Sequence, residues 1–278
     1  MIDPAQDRVL ITGAAGAIGT ALRNGMRENW RHLRLTDILP IPNLTNNEEA
    51  IVADISDRSA LETMMQGVRA VVHLAGVLGN YDLEELFRVN ARGLFDVFET
   101  ARLAGVPRIV FASSNHAFGC YPISEPVSPA LPPRPDSLYG TFKVWGETML
   151  RNYYDRHGIR SVSLRIGTYR SEPIDQRSLA TWLSPADVAQ LVDLSLRHPD
   201  PGCLVVNGYS ANTRLKTHDP NWAFLGYTPR DNAEDYRDKL RAQGVDVDAP
   251  DRDAWEWPEH GGSHARAPER PARHAAHR

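Results

Sequence analysis

Short runs of β-branched and apolar residues alternate along this chain with longer amphipathic stretches. The short runs predict strands at Arg8 to Thr12, Leu33 to Thr36, Ala50 to Ala53, Ala70 to Leu74, Arg108 to Ser113, Ser161 to Ile166 and Leu204 to Asn207. Several are apolar at successive positions, as strands covered by helices on both faces must be. Helices are predicted to start near Ala17, Arg58, Asp82, Ser137, Pro185 and Asp231, and Gly158 reads as the left-handed stop of the helix that starts near Ser137. Strands alternating with helices predict repeated βαβ units, hence an α/β fold with a doubly wound parallel sheet in one domain over residues 1–245. From about Asp246 the sequence turns to Pro, His, Arg, Ala and Asp without periodicity. Residues 246–278 are therefore expected to be a disordered, expendable tail whose histidines bind metal only adventitiously.

Composition narrows the field. The chain has 278 residues, 42% of them hydrophobic, enough for one doubly wound domain with a small appended region. Its 31 basic and 35 acidic side chains leave a net charge of -4, which argues against nucleic acid as a partner. MIDPAQDRVLIT enters a strand at once and carries neither a signal peptide nor a membrane span. Two cysteines, Cys120 and Cys203, lack metal-type spacing, so no metal site and a cytoplasmic setting are expected.

The first chemical motif is a glycine loop, Gly13, Gly16 and Gly19, that follows the first strand and opens the first helix at Ala17 and Ile18. Glycines at such a turn let backbone approach a pyrophosphate, while the helix N-terminus aims N–H groups at its charge. That context gives the sheet a Rossmann-type reading with a dinucleotide as cofactor. Asp37, twenty-one residues after Gly16 at the end of the second strand, would accept hydrogen bonds from a ribose and repel a 2′-phosphate, so NAD is expected rather than NADP. Asp54 and Ile55 end the third strand in the same way; they reach adenine, or Asp54 is simply an acid ahead of the next helix. Leu74, Ala75 and Gly76 end the fourth strand with small residues that leave room for ribose and phosphate, and Ile166 closes the sixth strand on the same side. Asn90 either holds a water or backbone group near the lysine discussed next, or ties two helices together. His73 is expected to be a core histidine.

Tyr139 and Lys143 lie four residues apart, on one face of a helix, twenty-five positions after Ser114. An unperturbed phenol ionises near pH 10, so a base working near neutrality needs about 4 kcal/mol of differential stabilisation. Lys143 is expected to supply part of it and the positive nicotinamide ring of an oxidised dinucleotide the rest. Ser114 would hydrogen-bond the oxygen that Tyr139 deprotonates, and Asn115 and His116 extend the polar patch. A hydrolytic reading of this Ser/Asn/His cluster fails because no glycine-flanked nucleophile elbow surrounds either serine. The stripe Phe142, Trp145, Met149 and Tyr153 reads as core or subunit interface.

Over about Arg8 to Arg241 these features resemble the extended short-chain dehydrogenase/reductases. Within that superfamily, FASSNHAFG, RPDSLYG, RIG at Arg165 to Gly167, SEPIDQRSLATWLSPAD and NWAFLGYTPRDNAEDYR are most similar to the bacterial uronate dehydrogenases. The resemblance implies NAD-dependent oxidation of glucuronate or galacturonate at C1 to an aldarolactone, with Tyr139 as base and Lys143 holding the cofactor ribose. It also implies sugar contacts from Ser114, Asn115, His116 and Thr168, a carboxylate grip from Arg177, substrate elements chiefly in residues 168–183 and 207–230, and a homo-oligomer. The sequence departs from the family at Leu78, where a serine is usual, and at Tyr169 and Arg170, which replace smaller residues beside the pocket. Two other readings compete: a nucleotide-sugar epimerase or dehydratase on the same scaffold, and an NAD-binding regulator without turnover.

Overall fold

The computed structural model describes residues 1–78, 82–248 and 259–265, the last stretch without the side chains of 263 and 264. Strands β1 (Arg8–Thr12), β2 (Leu33–Asp37), β3 (Glu48–Val52), β4 (Val68–His73), β5 (Arg108–Ser114) and β6 (Arg160–Ile166) fall within two residues of the runs read from the sequence. Two short strands, β7 (Thr168–Tyr169) and β8 (Trp182–Leu183), pair with each other, and β9 (Cys203–Gly208) closes the series. Among the described residues, seven strands join in one parallel sheet of order β3-β2-β1-β4-β5-β6-β9. The chain winds outward from β1 in one direction and from β4 in the other. The crevice outside the carboxyl ends of those two strands is thus where a sheet of this kind takes its ligand.

Helices α1 (Ala17–Met26), α2 (Arg58–Met64), α3 (Leu83–Leu86), α4 (Leu94–Leu103), α5 (Leu138–His157), α6 (Ser178–Thr181), α7 (Pro185–Arg197), α8 (Pro220–Leu225) and α9 (Arg237–Ala242) cover the sheet and its rim. Alternate strand residues feed two cores. Val9, Ile11, Val72 and Val110 pack under α1 and α7 with Leu22, Met26, Leu191 and Val192. Leu10, Val71, Ile109 and Phe111 pack on the other face with Leu61, Leu94, Phe98 and Leu150. This double covering is why the strands read as apolar on both sides.

Some expectations shift. The helix read near Asp82 is α3, capped by Asp82, then a π-helical stretch Phe87–Gly93, then α4. The start read near Asp231 is a 3-10 turn at Ala233–Tyr236 leading into α9. Gly158 does stop α5, at φ 70. No helix among the described residues is long and apolar enough to cross a membrane. Two parts of the stretch 246–278 lie against the rest of the chain where the structure describes them. Val247 is buried against Leu179, Trp182 and Leu240, and Asp248 pairs with Arg237 and Arg241. His260 and Gly261 are also buried. Residues 249–258 and 266–278 of the expected disordered tail lie outside the described residues.

Candidate active site

The glycine loop leaves β1 through Gly13, whose φ of +72 is left-handed and whose missing Cβ would sit 2.7 Å from the Ala75 nitrogen. A Cβ on Gly19 would lie 2.6 Å from Ala14 Cα, so both positions demand glycine and bring the loop against the end of β4. Helix α1 starts at Gly16 without a side-chain cap, which leaves first-turn N–H groups of Ala17 and Ile18 aimed into the crevice. That geometry suits a diphosphate. Asp37 accepts hydrogen bonds from the N–H groups of Ala15 at 3.0 Å and Leu39 at 3.1 Å, which pins its carboxylate beside the loop and half-exposed at the sheet edge. A carboxylate there would take ribose hydroxyls and repel a 2′-phosphate, so Asp37→Ala is expected to narrow the preference for NAD over NADP at least tenfold, read as the ratio of kcat/KM for the two cofactors.

Asp54 and Ile55 are committed elsewhere. Asp54 accepts from Arg88 at 2.9 Å and from the backbone and hydroxyl of Ser56, while Ile55 is buried in the second core against Gly93. The Asp54 carboxylate stays partly exposed beside Arg88, and the cap of α2 is Asp57, not Asp54. Asn90 clamps the stretch after β4 with a pair of bonds, donating to Val77 O and accepting from Val77 N, each at 2.9 Å. This fixes Leu74, Ala75 and Gly76 beside Lys143, since a Cβ on Gly76 would lie 3.7 Å from Lys143 Nζ. His73 is the core residue expected of it: its Nδ1 meets Thr12 Oγ1 at 2.8 Å, its buried Nε2 has no hydrogen-bond partner among the described residues, and burial with Lys143 nearby lowers its pKa to about 3.

Tyr139, Lys143 and Ser114 do converge. Ser137 caps α5 by accepting from Gly140 N, and Gly140 lies against the backbone of His116, bringing the helix start onto the 3-10 turn Asn115–Phe118 that follows β5. Tyr139 is buried, with the Ser114 side chain favouring its ionised form. Lys143 Nζ donates to the Ala112 carbonyl at 2.7 Å and lies 5.3 Å from the Tyr139 ring centroid. In the protein by itself burial pushes the phenol above its ordinary range, the Ser114 side chain pulls against that rise and Asp136 adds to it. Burial also lowers the Lys143 ammonium, to about 8. Lys143 therefore does not by itself prepare an anionic tyrosine.

Two further groups escaped the sequence reading. Asp136, with a fully buried side chain, meets His116 Nδ1 at 2.7 Å and so orients the imidazole, whose ring stands edge-on to Tyr139 at 5.6 Å. Glu147, one turn beyond Lys143, holds Arg165 at 2.8 and 3.0 Å and Ser113 at 2.5 Å, tying α5 to β5 and β6. Asp136 stands directly before a helix-cap serine, and Glu147 sits at i+4 from Lys143; those positions were the only signals available.

Arg177 reaches the same cluster from the start of α6. Half-buried, it donates to the His260 carbonyl at 2.7 Å, and Asn115 Nδ2 donates to that oxygen at 3.0 Å. Burial draws the guanidinium below its ordinary pKa, with Asp175 opposing. The Thr168 hydroxyl is shared with Thr181 at 2.8 Å, and Leu78 is largely exposed. The supposedly expendable tail is part of this neighbourhood. Glu259 bridges Pro122, His260 N donates to Tyr121 O and Gly261 N to Gly119 O, each of the latter at 3.0 Å. Side chains on Gly261 and Gly262 would collide with Asp136 and Arg177 respectively.

This glycine loop, the Ser114/Tyr139/Lys143 set and the sheet order match a known pattern. The sequence profile of the NAD dependent epimerase/dehydratase family matches residues 9–192. The chain belongs to that family. Within the family it is 42% identical over 238 residues to the uronate dehydrogenase of Pseudomonas putida, covering 85% of this chain and 89% of that one. It is 35% identical over 249 residues to an NAD-dependent glucose-6-phosphate dehydrogenase of Haloferax volcanii, covering 82% and 95%. Among solved structures, a mutant uronate dehydrogenase from Agrobacterium tumefaciens complexed with NAD superposes with a TM-score of 0.88 at 37% identity, over 95% of this chain and 99% of that one. Family membership and the fit of the Gly13–Gly19 cradle and Asp37 agree on NAD as the cofactor.

Proposed function

We propose that this protein is an NAD-dependent dehydrogenase that oxidises a free hexuronic acid, glucuronate or galacturonate, at C1 to the aldarolactone. One observation carries the reading: the guanidinium of Arg177 and the amide of Asn115 converge within the cluster that holds Ser114 and Tyr139, so a small molecule with a carboxylate at one end and a hydroxyl at the other fits between them. The similarity to uronate dehydrogenases supports the same assignment.

NAD, when bound, supplies a hydride acceptor and a positive ring beside the phenol. The residues do the rest. Ser114 donates to or accepts from the C1 hydroxyl and keeps it against Tyr139. Tyr139 takes the hydroxyl proton as the C1–H bond gives up its hydride, so the ring oxygen and C1 become the ester of a lactone. Lys143, anchored on the Ala112 carbonyl, would meet the cofactor ribose and add positive charge behind the phenol. His116, with Nδ1 engaged by Asp136, offers its other nitrogen to a sugar hydroxyl. The assembly would be a homo-oligomer, with the exposed face of Phe95 and Trp145 on α4 and α5 as the contact between copies.

The test is NADH appearance at 340 nm, on the order of neutral to mildly alkaline pH where a phenol base works, across glucuronate, galacturonate, mannuronate, neutral aldoses and UDP-sugars. Turnover confined to the free uronates supports the assignment, and turnover confined to UDP-sugars sinks it. Arg177→Ala should raise KM for uronates about a hundredfold, the loss of a charge-assisted pair, while leaving KM for neutral aldoses nearly unchanged. An equal effect on both would remove Arg177 from carboxylate binding.

A further inference from the structure

Tyr169 does something the sequence did not foretell. It follows β6 and the turn Gly167, and lies on the rim that closes the crevice from the β6 side. In the sheet order, β6 is separated from β1 by β4 and β5. At about 4.8 Å per strand, the ends of β1 and β6 are roughly 14 Å apart. Yet the Tyr169 hydroxyl donates to the carbonyl of Ala17, the first residue of α1, at 3.2 Å. The contact therefore joins the segment after β6 to the first turn of α1, beside the glycine loop along which a dinucleotide lies in an open parallel sheet.

Its base is rigid. Gly167 N donates to Gly208 O at 3.0 Å, Thr168 shares a hydroxyl bond with Thr181, and the Arg170 carbonyl accepts from Trp182 Nε1 at 2.9 Å. The ring packs against the core cluster that includes Ile166 and Ala14. Burial pushes the phenol's pKa upward, so it remains a donor through and above neutral pH. Its partner is a backbone carbonyl in the turn whose N–H groups face the diphosphate site, so the contact links the two walls between which the cofactor must pass.

We propose that Tyr169 is a clasp across the cofactor crevice, which must swing off Ala17 each time NAD enters or NADH leaves and thereby governs how long the dinucleotide is retained. It is a positioning residue for the cofactor and takes no part in proton or hydride transfer. The claim is independent of which sugar is oxidised, because it concerns NADH alone.

The experiment is stopped-flow measurement of NADH release from the full-length protein, followed by nucleotide fluorescence with excess NAD as trap and no sugar present. Tyr169→Phe keeps the ring and removes one hydrogen bond, and should speed release about fivefold. Tyr169→Ser removes the ring as well and should speed it further, with thermal unfolding temperatures checking that both variants are folded. Release rates unchanged within twofold in both would overturn the clasp. A faster release in Tyr169→Phe, with KM for the sugar acid unchanged, would establish it and separate it from any role in the substrate pocket.

Discussion

Tyr139→Phe is expected to lower turnover by about three orders of magnitude, the range lost when a positioned general base is removed, while leaving NAD affinity within a few-fold. The ring stays in its buried place edge-on to His116, so fold and cofactor crevice are unaffected; only the oxygen that meets Ser114 is lost. Burial makes the magnitude large. It holds the phenol protonated above its ordinary range, so its ionisation depends on positive charge gathered around it when cofactor binds, from the pyridinium and from Lys143. A base whose pKa is raised loses activity as pH falls, so the kcat/KM of the wild type should climb with pH while the residual rate of Tyr139→Phe stays flat. Initial rates of NADH formation between pH 6 and 10, on the scale set by a phenol's ordinary pKa of about 10, and fluorescence titration of NADH binding supply both halves of the test. A variant that retains wild-type turnover would take the tyrosine out of the chemistry.

How much of this was legible in the sequence follows from how local the determinants are. The strands were readable because each buries both faces and so carries an uninterrupted apolar run, and the loop was readable because Gly13 and Gly19 have no room for a Cβ. Ser137, Tyr139 and Lys143 were readable because capping and i+4 spacing are properties of one helix. What failed depends on distant partners. Nothing near Asp54 in the sequence announces that Arg88 takes its carboxylate, and nothing near Asp136 announces His116. Spacing gives the neighbour of Tyr139, Lys143, but not the burial that outweighs it in the protein by itself. The contacts of the tail were hidden for the same reason. Glu259 to Gly261 lack periodicity because they form neither helix nor regular strand, and they are held by backbone pairing to residues 119–122, which no local composition can signal.

That tail supplies the other large prediction, opposite to the expectation that it is expendable. Gly262→Ala should raise KM for the sugar acid at least tenfold with little change in NAD affinity. Gly262 sits at φ +62, where an L side chain costs about 1 to 2 kcal/mol, and its Cβ would lie 2.6 Å from Arg177 Nε. The His260 carbonyl two residues earlier already fixes Arg177 and Asn115, so relief of the clash must either push the guanidinium aside or lift the segment from both donors. Either way the buried polar groups lose the geometry in which they would receive a carboxylate. Gly226→Ala provides the control. Its φ of +75 carries the same backbone strain, but nothing lies within 4 Å of the new methyl, so it should cost stability without touching KM. Cutting the chain after Asp246 should reproduce the KM defect of Gly262→Ala more strongly, because it removes the acceptor shared by Arg177 and Asn115 altogether. Steady-state kinetics with the uronate varied at saturating NAD reads all three variants. If Gly262→Ala and the truncation both keep the wild-type KM, residues 259–262 play no part in holding Arg177 for its ligand.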